Sequence, residues 1–207
     1  MRDRFVYVVD DDDGVRSSLA LLFRSVGLTP VCYGSGQDFL AEFTASMCGC
    51  LLVDIRMPSM SGLDLQKALN DRGSVLPLIF ITGHGDVAMA VRAMRAGAFD
   101  FIEKPFRDQD LLDRINQAIA SNEVRHEEIR LRSLLGQRLA ALTPREREVM
   151  ERIVKGQANK VIALELGLSE RTVEIHRSKV MSKLQVHSLA ELVAMVTRVG
   201  LHDVPPR

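Results

Sequence analysis

Short apolar runs alternate with longer amphipathic stretches over the first 120 residues of the chain. The runs are rich in β-branched side chains, a pattern typical of buried parallel strands, and the longer stretches repeat their apolar positions at the helical period. The predicted strands are Phe5–Val9, Thr29–Tyr33, Cys50–Asp54, Pro77–Thr82 and Phe99–Ile102. The predicted helices are Gly14–Val26, Gly36–Phe43, Gly62–Asp71, Asp86–Ala96 and Gln109–Ala120.

This alternation predicts an α/β domain over residues 1–120, with a flavodoxin-like, doubly wound (βα)5 fold. Residues 121–140 are rich in Glu, Arg, Gln and Leu and contain no Pro, so they predict an exposed helical linker that can continue the preceding helix. An all-α domain is predicted over residues 141–207. Its four helical patterns are Pro144–Lys155, Lys160–Leu166, Glu170–Leu184 and Ser188–Val199.

Charge is distributed unevenly between the two predicted domains. Residues 1–120 carry 12 Lys and Arg against 16 Asp and Glu, whereas residues 142–207 carry 11 against 8. The C-terminal domain is therefore the part expected to contact a polyanion. The apolar runs are far shorter than the roughly 20 residues that a membrane span needs, and no targeting pattern is present, so we expect a cytoplasmic protein. The three cysteines match no metal pattern and are expected to fill the core in a reducing compartment.

Polar residues follow the carboxyl ends of the predicted strands, which share one edge of a doubly wound sheet. The first strand is followed by Asp10 to Asp13, and the third ends at Asp54. Carboxylates so close together repel each other unless a cation compensates, and Mg²⁺ prefers oxygen ligands. The sequence therefore predicts a site for Mg²⁺ (or Mn²⁺) formed by Asp11, Asp54, the backbone carbonyl of Arg56 and water.

The same edge carries the groups needed for phosphoryl transfer. A carboxylate beside a divalent ion can attack phosphorus, while the metal and an ammonium group neutralise the phosphoryl oxygens. Asp54 fits the first role and Lys104, after the fifth strand, fits the second; Thr82, at the end of the fourth, offers a hydroxyl donor. Each residue taken singly is equally compatible with an ordinary surface loop, but their joint placement is hard to obtain by accident.

Four segments of residues 5–120, V-V-D-D-D-D, V-D-I-R-M-P-S-M-S-G, I-T-G-H-G-D and F-D-F-I-E-K-P-F, resemble receiver domains of two-component response regulators. The resemblance implies that Asp54 accepts a phosphoryl group from a sensor histidine kinase. It also implies that Asp10 and Asp11 are the acidic pair, with Asp11 a direct metal ligand and Asp10 acting through water. Thr82 and Lys104 become the switch pair.

Two further features are implied by this resemblance. The peptide between Lys104 and Pro105 is expected to be cis. Phe101 takes the place of the aromatic residue that swings inward when the Thr turns toward the phosphoryl group. Plain core packing is an equally weighted alternative for this Phe, which lacks the hydroxyl of the Tyr often found there.

The segment K-V-I-A-L-E-L-G-L-S-E-R-T-V-E-I-H-R-S-K-V-M-S-K-L predicts a helix-turn-helix, in which Gly167 ends the first helix and Ser169 caps the second. The second helix has a basic face that would neutralise DNA phosphates. For each candidate base contact, a phosphate contact or none is an equal alternative. The candidate DNA-binding residues are Lys160, Arg171, Thr172, Glu174, Ile175, Arg177, Ser178, Lys179 and Lys183.

With L-T-P-R-E-R-E-V-M upstream and S-L-A-E-L-V downstream, residues 140–199 resemble the LuxR-type four-helix DNA-binding domain. The pairing with a receiver implies the NarL/FixJ family, and T-G-H-G-D-V with E-K-P-F favours its FixJ-like branch. The resemblance implies a transcription regulator that forms a homodimer on phosphorylation, binds double-stranded promoter DNA and engages RNA polymerase. The predicted switch surface is the face formed by 86–96 and 99–102. In the last helix, Leu189, Leu192 and Val196 pack the core or supply dimer contacts, with core favoured.

Two other functions fit parts of the sequence. A phosphatase that forms an aspartyl phosphate uses the same Asp and metal chemistry, but it needs a carboxylate two residues after its nucleophile, where this chain has Arg56. A DNA-binding protein that keeps a receiver fold only for dimerisation would not need the complete pocket. We therefore predict a regulator that is not an enzyme beyond the phosphorylation and dephosphorylation of Asp54.

Overall fold

The computed structural model describes residues 4–83 and 87–199. The chain divides into two compact units, residues 1–127 and 128–207. In the first unit, the parallel strands β1 to β5 are ordered β2-β1-β3-β4-β5, which confirms the flavodoxin-like fold. They are β1 (Phe5–Val9), β2 (Thr29–Tyr33), β3 (Cys50–Asp54), β4 (Leu78–Thr82) and β5 (Asp100–Glu103). The helices of this part of the chain are α1 (Asp13–Ser25), α2 (Gly36–Glu42), α3 (Gly62–Asp71), α4 (Val87–Arg95) and α5 (Asp108–Ala140).

Both faces of the sheet are covered by helices. Val8 and Leu52 pack with Phe23 of α1 and Ile115 of α5 in one core cluster. Their strand neighbours belong to a second cluster, which includes Val9, Val53, Phe39 of α2 and Leu65 of α3. Successive strand residues therefore point into opposite cores, which is why these strands are apolar throughout instead of alternating.

Two predicted strands shift by one residue at one or both ends, and several predicted helix ends do the same. The fourth strand begins at Leu78 and not at Pro77, which has no N–H to donate to a strand ladder. The fifth strand is shifted to Asp100–Glu103. Asp86, the predicted start of the fourth helix, lies outside the described residues, as do the last eight residues of the chain.

The predicted linker is not a separate element, because α5 runs without a break from Asp108 to Ala140. Asn122, at the start of the predicted linker, is buried; its Oδ1 accepts from Gly49 N at 2.9 Å and its Nδ2 donates to Val75 O at 2.9 Å. One turn later, Nε2 of His126 lies 3.1 Å from Met47 O. These bonds attach the helix to the amino end of the sheet beyond residue 120.

The second unit contains four helices after α5 within the described residues: α6 (Pro144–Val154), α7 (Asn159–Leu166), α8 (Glu170–Leu184) and α9 (Leu189–Val199). Thr143 and Glu146 form a capping box at the start of α6. Gly167 adopts φ 64° and Ser169 accepts from Thr172 N, so the predicted turn between α7 and α8 is present. The core includes Val149, Ile162, Val173, Val180, Leu184, Leu192 and Val196, while Leu189 is 40% exposed.

The three cysteines differ in their exposure to solvent. Cys50 is buried in β3, as expected. Core filling was wrong for Cys32 and Cys48, which are exposed, because β2 is an edge strand and Cys48 lies in the loop before β3. Among the helices of the described residues, none is long and apolar enough to cross a membrane.

Candidate phosphoryl-acceptor site and nucleic-acid interface

Asp10, Asp54 and Lys104 meet at the carboxyl edge of the sheet. Val9 is in register with Val53, so the acids that follow β1 and end β3 lie side by side. Lys104 N donates to Thr82 O at 2.7 Å, which continues the pairing of β4 and β5. From this position Lys104 Nζ reaches Asp10 Oδ2 at 3.2 Å and Asp54 Oδ1 at 3.1 Å.

The electrostatics of this triad are set by burial and by the ion pairs. Burial raises the pKa of Asp10, which is only 4% exposed, against the opposing effects of Asp12 N–H and Lys104. Burial alone would lower the pKa of Lys104, but the charges of Asp10 and Asp54 outweigh it and raise the pKa above its usual value. Lys104 is therefore a permanent cation at neutral pH, placed between two acids.

The four consecutive aspartates have different partners. Asp10 Oδ1 accepts from Asp12 N at 2.9 Å, and Asp12 caps α1 by accepting from Gly14 N at 2.7 Å. Asp13 forms an ion pair with Arg16. Asp11 is exposed and makes no hydrogen bond or ion pair with the described residues, so its oxygens are available to a ligand.

Asp54 is held by its own loop. Its Oδ2 accepts from Arg56 N at 2.7 Å, and its side chain is 14% exposed. Gly62, the first residue of α3, packs against the same turn: a Cβ placed there would lie 2.5 Å from Asp54 O and 2.9 Å from Phe80 Cε1. The sequence interpretation missed Gly62; the only signal was a glycine at a predicted helix start.

A second residue missed from sequence is Arg16. Its Nη1 donates to Asp10 O at 2.5 Å while its other terminal nitrogen pairs with Asp13. Arg16 therefore fixes the path of the loop that carries Asp11. A basic residue one helical turn after an acidic run was the available signal.

The donor set fits a hard divalent cation. Carboxylate oxygens of Asp11 and Asp54 follow adjacent strands, and oxygen ligands supplemented by water are what Mg²⁺ prefers. Within residues 4–83 and 87–199, no three or more His, Cys, Asp or Glu side chains are grouped as metal ligands by themselves. The expected site differs from such a group, since it uses two carboxylates, one carbonyl and water.

Two residues predicted to form the switch, Thr82 and Phe101, lie on the neighbouring strands. Thr82 ends β4 and is 2% exposed. Phe101 lies on β5 beside Phe80 of β4 and is half-buried against the second core cluster. The Lys104–Pro105 peptide is cis. Thr82 and Phe101 therefore lie next to the acidic pocket and on the side of the sheet that α4 adjoins.

Most candidate DNA-binding residues lie on the surface of the second unit. Thr172 is half-buried, with Oγ1 2.8 Å from Ser169 Oγ, and Arg177 is half-buried, with Nη1 3.4 Å from Asn159 Oδ1. The core-facing positions of α8 are Val173, Val180 and Leu184. The exposed candidates are Lys160, Arg171, Glu174, Ile175, Ser178 and Lys179.

Lys183 differs from these candidates because its ammonium group contacts the segment at the start of α6. Its Nζ lies 2.6 Å from Glu146 Oε2 and 3.2 Å from Ala141 O. The Lys183 ammonium and the Thr143 N–H and hydroxyl, against the effect of burial, lower the pKa of Glu146 to about 2. Lys183 is at the C-terminal end of α8 and stabilises the start of α6, so we remove it from the expected DNA contacts.

A receiver fold with this pocket, followed by a four-helix domain with a basic recognition helix, defines a DNA-binding two-component response regulator. The family description "Response regulator receiver domain" matches residues 6–116, and "Bacterial regulatory proteins, luxR family" matches residues 140–196. The chain belongs to the NarL/FixJ family of transcriptional regulators. The predicted family and class of function are thereby confirmed.

The relatives cover nearly the full chain. Nodulation protein W of Bradyrhizobium diazoefficiens is 46% identical over 95% of this chain and 86% of its own length. Transcriptional regulatory protein FixJ of Azorhizobium caulinodans is 45% identical over 95% and 93%. The solved structure of response regulator StyR has a TM-score of 0.90 at 43% identity, covering 95% of this chain and all of that one.

Proposed function

We propose that Asp54 accepts a phosphoryl group from the phosphohistidine of a sensor kinase, and that this transfer controls dimerisation and promoter binding by the second domain. The observation that carries the proposal is the ion-paired cluster in which Lys104 Nζ lies 3.2 Å from Asp10 and 3.1 Å from Asp54. A fixed ammonium beside a partly exposed carboxylate is suited to binding the added phosphoryl oxygens.

The reaction follows from these positions. A carboxylate oxygen of Asp54 attacks phosphorus, the P–O bond forms, the P–N bond of the phosphohistidine breaks, and the leaving imidazole keeps the electron pair and takes up a proton from water. Lys104 then pairs with a phosphoryl oxygen, and the Thr82 hydroxyl donates to another. When bound, a divalent cation supplies further charge neutralisation.

We assign that cation as Mg²⁺, or Mn²⁺, held by Asp11, Asp54 and the carbonyl of Arg56, with Asp10 acting through water. The free carboxylate of Asp11 and the hard oxygen character of the donors support this assignment. The residues proposed to hold the metal are on loops that Arg16 and Gly62 position.

The proposed output is a homodimer that binds a two-fold site in double-stranded promoter DNA and contacts RNA polymerase in the cytoplasm. An exposed apolar face on α4 supports dimerisation through the receiver: Val87, Val91 and Met94 are 77%, 43% and 44% exposed. The exposed Arg171 and Lys179 on α8 support contact with the major groove and its phosphates.

Intact-mass analysis after treatment with acetyl phosphate and Mg²⁺ tests the acceptor. We expect one phosphoryl group on the wild type and on Asp71→Asn, an exposed control, and none on Asp54→Asn. Mapping of bound genomic DNA with wild type and Asp54→Asn tests the output. Equal DNA affinity and equal mass in solution with and without a phosphoryl mimic would contradict the proposed control.

A further inference from the structure

Helix α4 is weakly anchored by apolar packing. Of its nine residues, only Ala93 is buried. Val87, Val91 and Met94 face solvent to a large extent, and Met89 is partly buried against the core. A helix with so little buried area depends on polar contacts to hold its position.

At its C-terminal end, such contacts come from α3. Gln66, which is 3% exposed, donates from Nε2 to Ala93 O at 3.0 Å. Asn70, one turn further along α3, donates from Nδ2 to Ala96 O at 2.8 Å. The Ala93 carbonyl also accepts from Ala98 N at 3.0 Å, so two donors converge on it. We call Gln66 and Asn70 the α3 clamp.

The clamped end of α4 leads directly into β5, the strand that carries Phe101 and precedes Lys104. Gly97 takes φ 90° and turns the chain, Phe99 N then donates to Leu78 O at 2.8 Å, and β5 follows. The other end of α4 lies towards the carboxyl end of β4, which finishes at Thr82. The clamp therefore fixes the end of α4 that is distant from Asp54 and that leads into β5.

Space is available beside the clamp. A cleft of about 300 Å³ is lined by Gln66, Asn70, Ser74, Gly97 and Ala98, together with residues of β4 and α5. Displacement of the α4 end towards this cleft would break two hydrogen bonds and withdraw Ala93, which is 0% exposed, from the second core cluster. The clamp bonds and the packing of Ala93 therefore hold this end in position together.

We propose that the α3 clamp, Gln66 and Asn70, is a positioning device that stabilises the α4 position accompanying the Lys104–Asp54 ion pair and so opposes activation. The inference rests on the proposed phosphorylation of Asp54. A net hydrogen bond is equivalent to roughly a fivefold change in a two-state equilibrium. Loss of a clamp bond should accordingly increase the fraction of molecules in which α4 has moved.

Asn70→Asp is the most direct test, because the substitution is isosteric and its site is exposed. It removes the Nδ2 donor to Ala96 O and places a negative charge beside the C-terminus of α4. We expect faster amide hydrogen exchange in residues 93–98 of the full chain. Phosphorylation by acetyl phosphate with Mg²⁺ should be roughly fivefold faster than in wild type. Gln66→Leu, which removes the buried donor without adding charge, should do the same.

Gln117→Glu adds the same charge at an exposed position of α5 and serves as the control, with no change expected in either measurement. Unchanged exchange in residues 93–98 of both clamp variants would overturn the clamp. Faster exchange with an unchanged or slower phosphorylation rate would overturn its regulatory role. Absence of phosphate on wild-type Asp54 would refute the proposed function instead, while the exchange measurement would still decide the clamp.

Discussion

Lys104 Nζ lies 3.1 Å from Asp54 Oδ1, although the two residues are 50 positions apart in sequence. The parallel order of β3, β4 and β5 brings them to one edge. The same ammonium group also contacts Asp10, so one cation balances two acids in a partly buried site. This relationship determines both the stability of the site and its chemistry.

Removal of this cation should destabilise the receiver and increase its dependence on metal. In Lys104→Met, Asp10 and Asp54 lose their shared partner, and we expect a loss of about 1–3 kcal/mol at pH 7. Thermal unfolding of the full chain with and without Mg²⁺ measures this, and Mg²⁺ should stabilise the variant more than the wild type. Lys67→Met, on the exposed side of α3, is the control. A variant as stable as the wild type would contradict the proposed balance of charges.

Gly62 and Gly136 should respond oppositely to alanine. Gly62→Ala forces a Cβ to within 2.5 Å of Asp54 O, so we expect destabilisation by about 1–3 kcal/mol and slower phosphorylation of Asp54. Gly136 lies within α5 with open space around it, so Gly136→Ala should stabilise the helix by about 0.5–1 kcal/mol. Denaturant unfolding gives both signs; equal effects would refute the close approach at Gly62.

Lys179 and Lys183 are one turn apart on α8 but should have different roles. Lys179→Ala should weaken binding to duplex DNA and reduce the slope of log affinity against log salt by about 1, with little effect on stability. Lys183→Ala should instead lower the melting temperature, because buried Glu146 loses its partner. Salt titrations and thermal unfolding of each variant distinguish the two. A larger salt-slope change for Lys183 would return it to the DNA-binding face.

The stability supplied by Glu146 should depend on pH. Its pKa is lowered to about 2 in the folded protein, below the ordinary 4.5, so its stabilisation is fully present above about 4.5 and is lost as pH falls towards 2. Glu146→Gln should therefore destabilise the second unit by about 1–3 kcal/mol at pH 7, and the difference from wild type should shrink below pH 4.5. Calorimetry of the full chain across this range measures it. Glu151→Gln, on the same helix, is the control, and a pH-independent difference would contradict the ion pair as the cause.

The pattern of apolar positions was sufficient for the fold. Three of the five strands, β1, β2 and β3, begin and end where the pattern predicts. β1 and β3 are buried along nearly their whole length and have a continuous apolar signal, whereas β2 is a partly exposed edge strand with a weaker one. The α5 helix continues past residue 120, as the composition of residues 121–140 allowed. The local pattern did not report how this continuation is held, because Asn122 and His126 bond to loops that are distant in sequence.

At the acceptor site, too, the sequence predicted some features and distant contacts decided the others. The sequence alone determined which residue types reach the carboxyl edge, since parallel strands must end there and the motif residues follow them. Only the tertiary structure decided how four adjacent aspartates divide their roles: one pairs with Lys104, one caps α1, one pairs with Arg16, and Asp11 remains open to a ligand. The physical reason is that identical side chains acquire different functions from their partners and burial, which depend on chain segments up to 94 residues away.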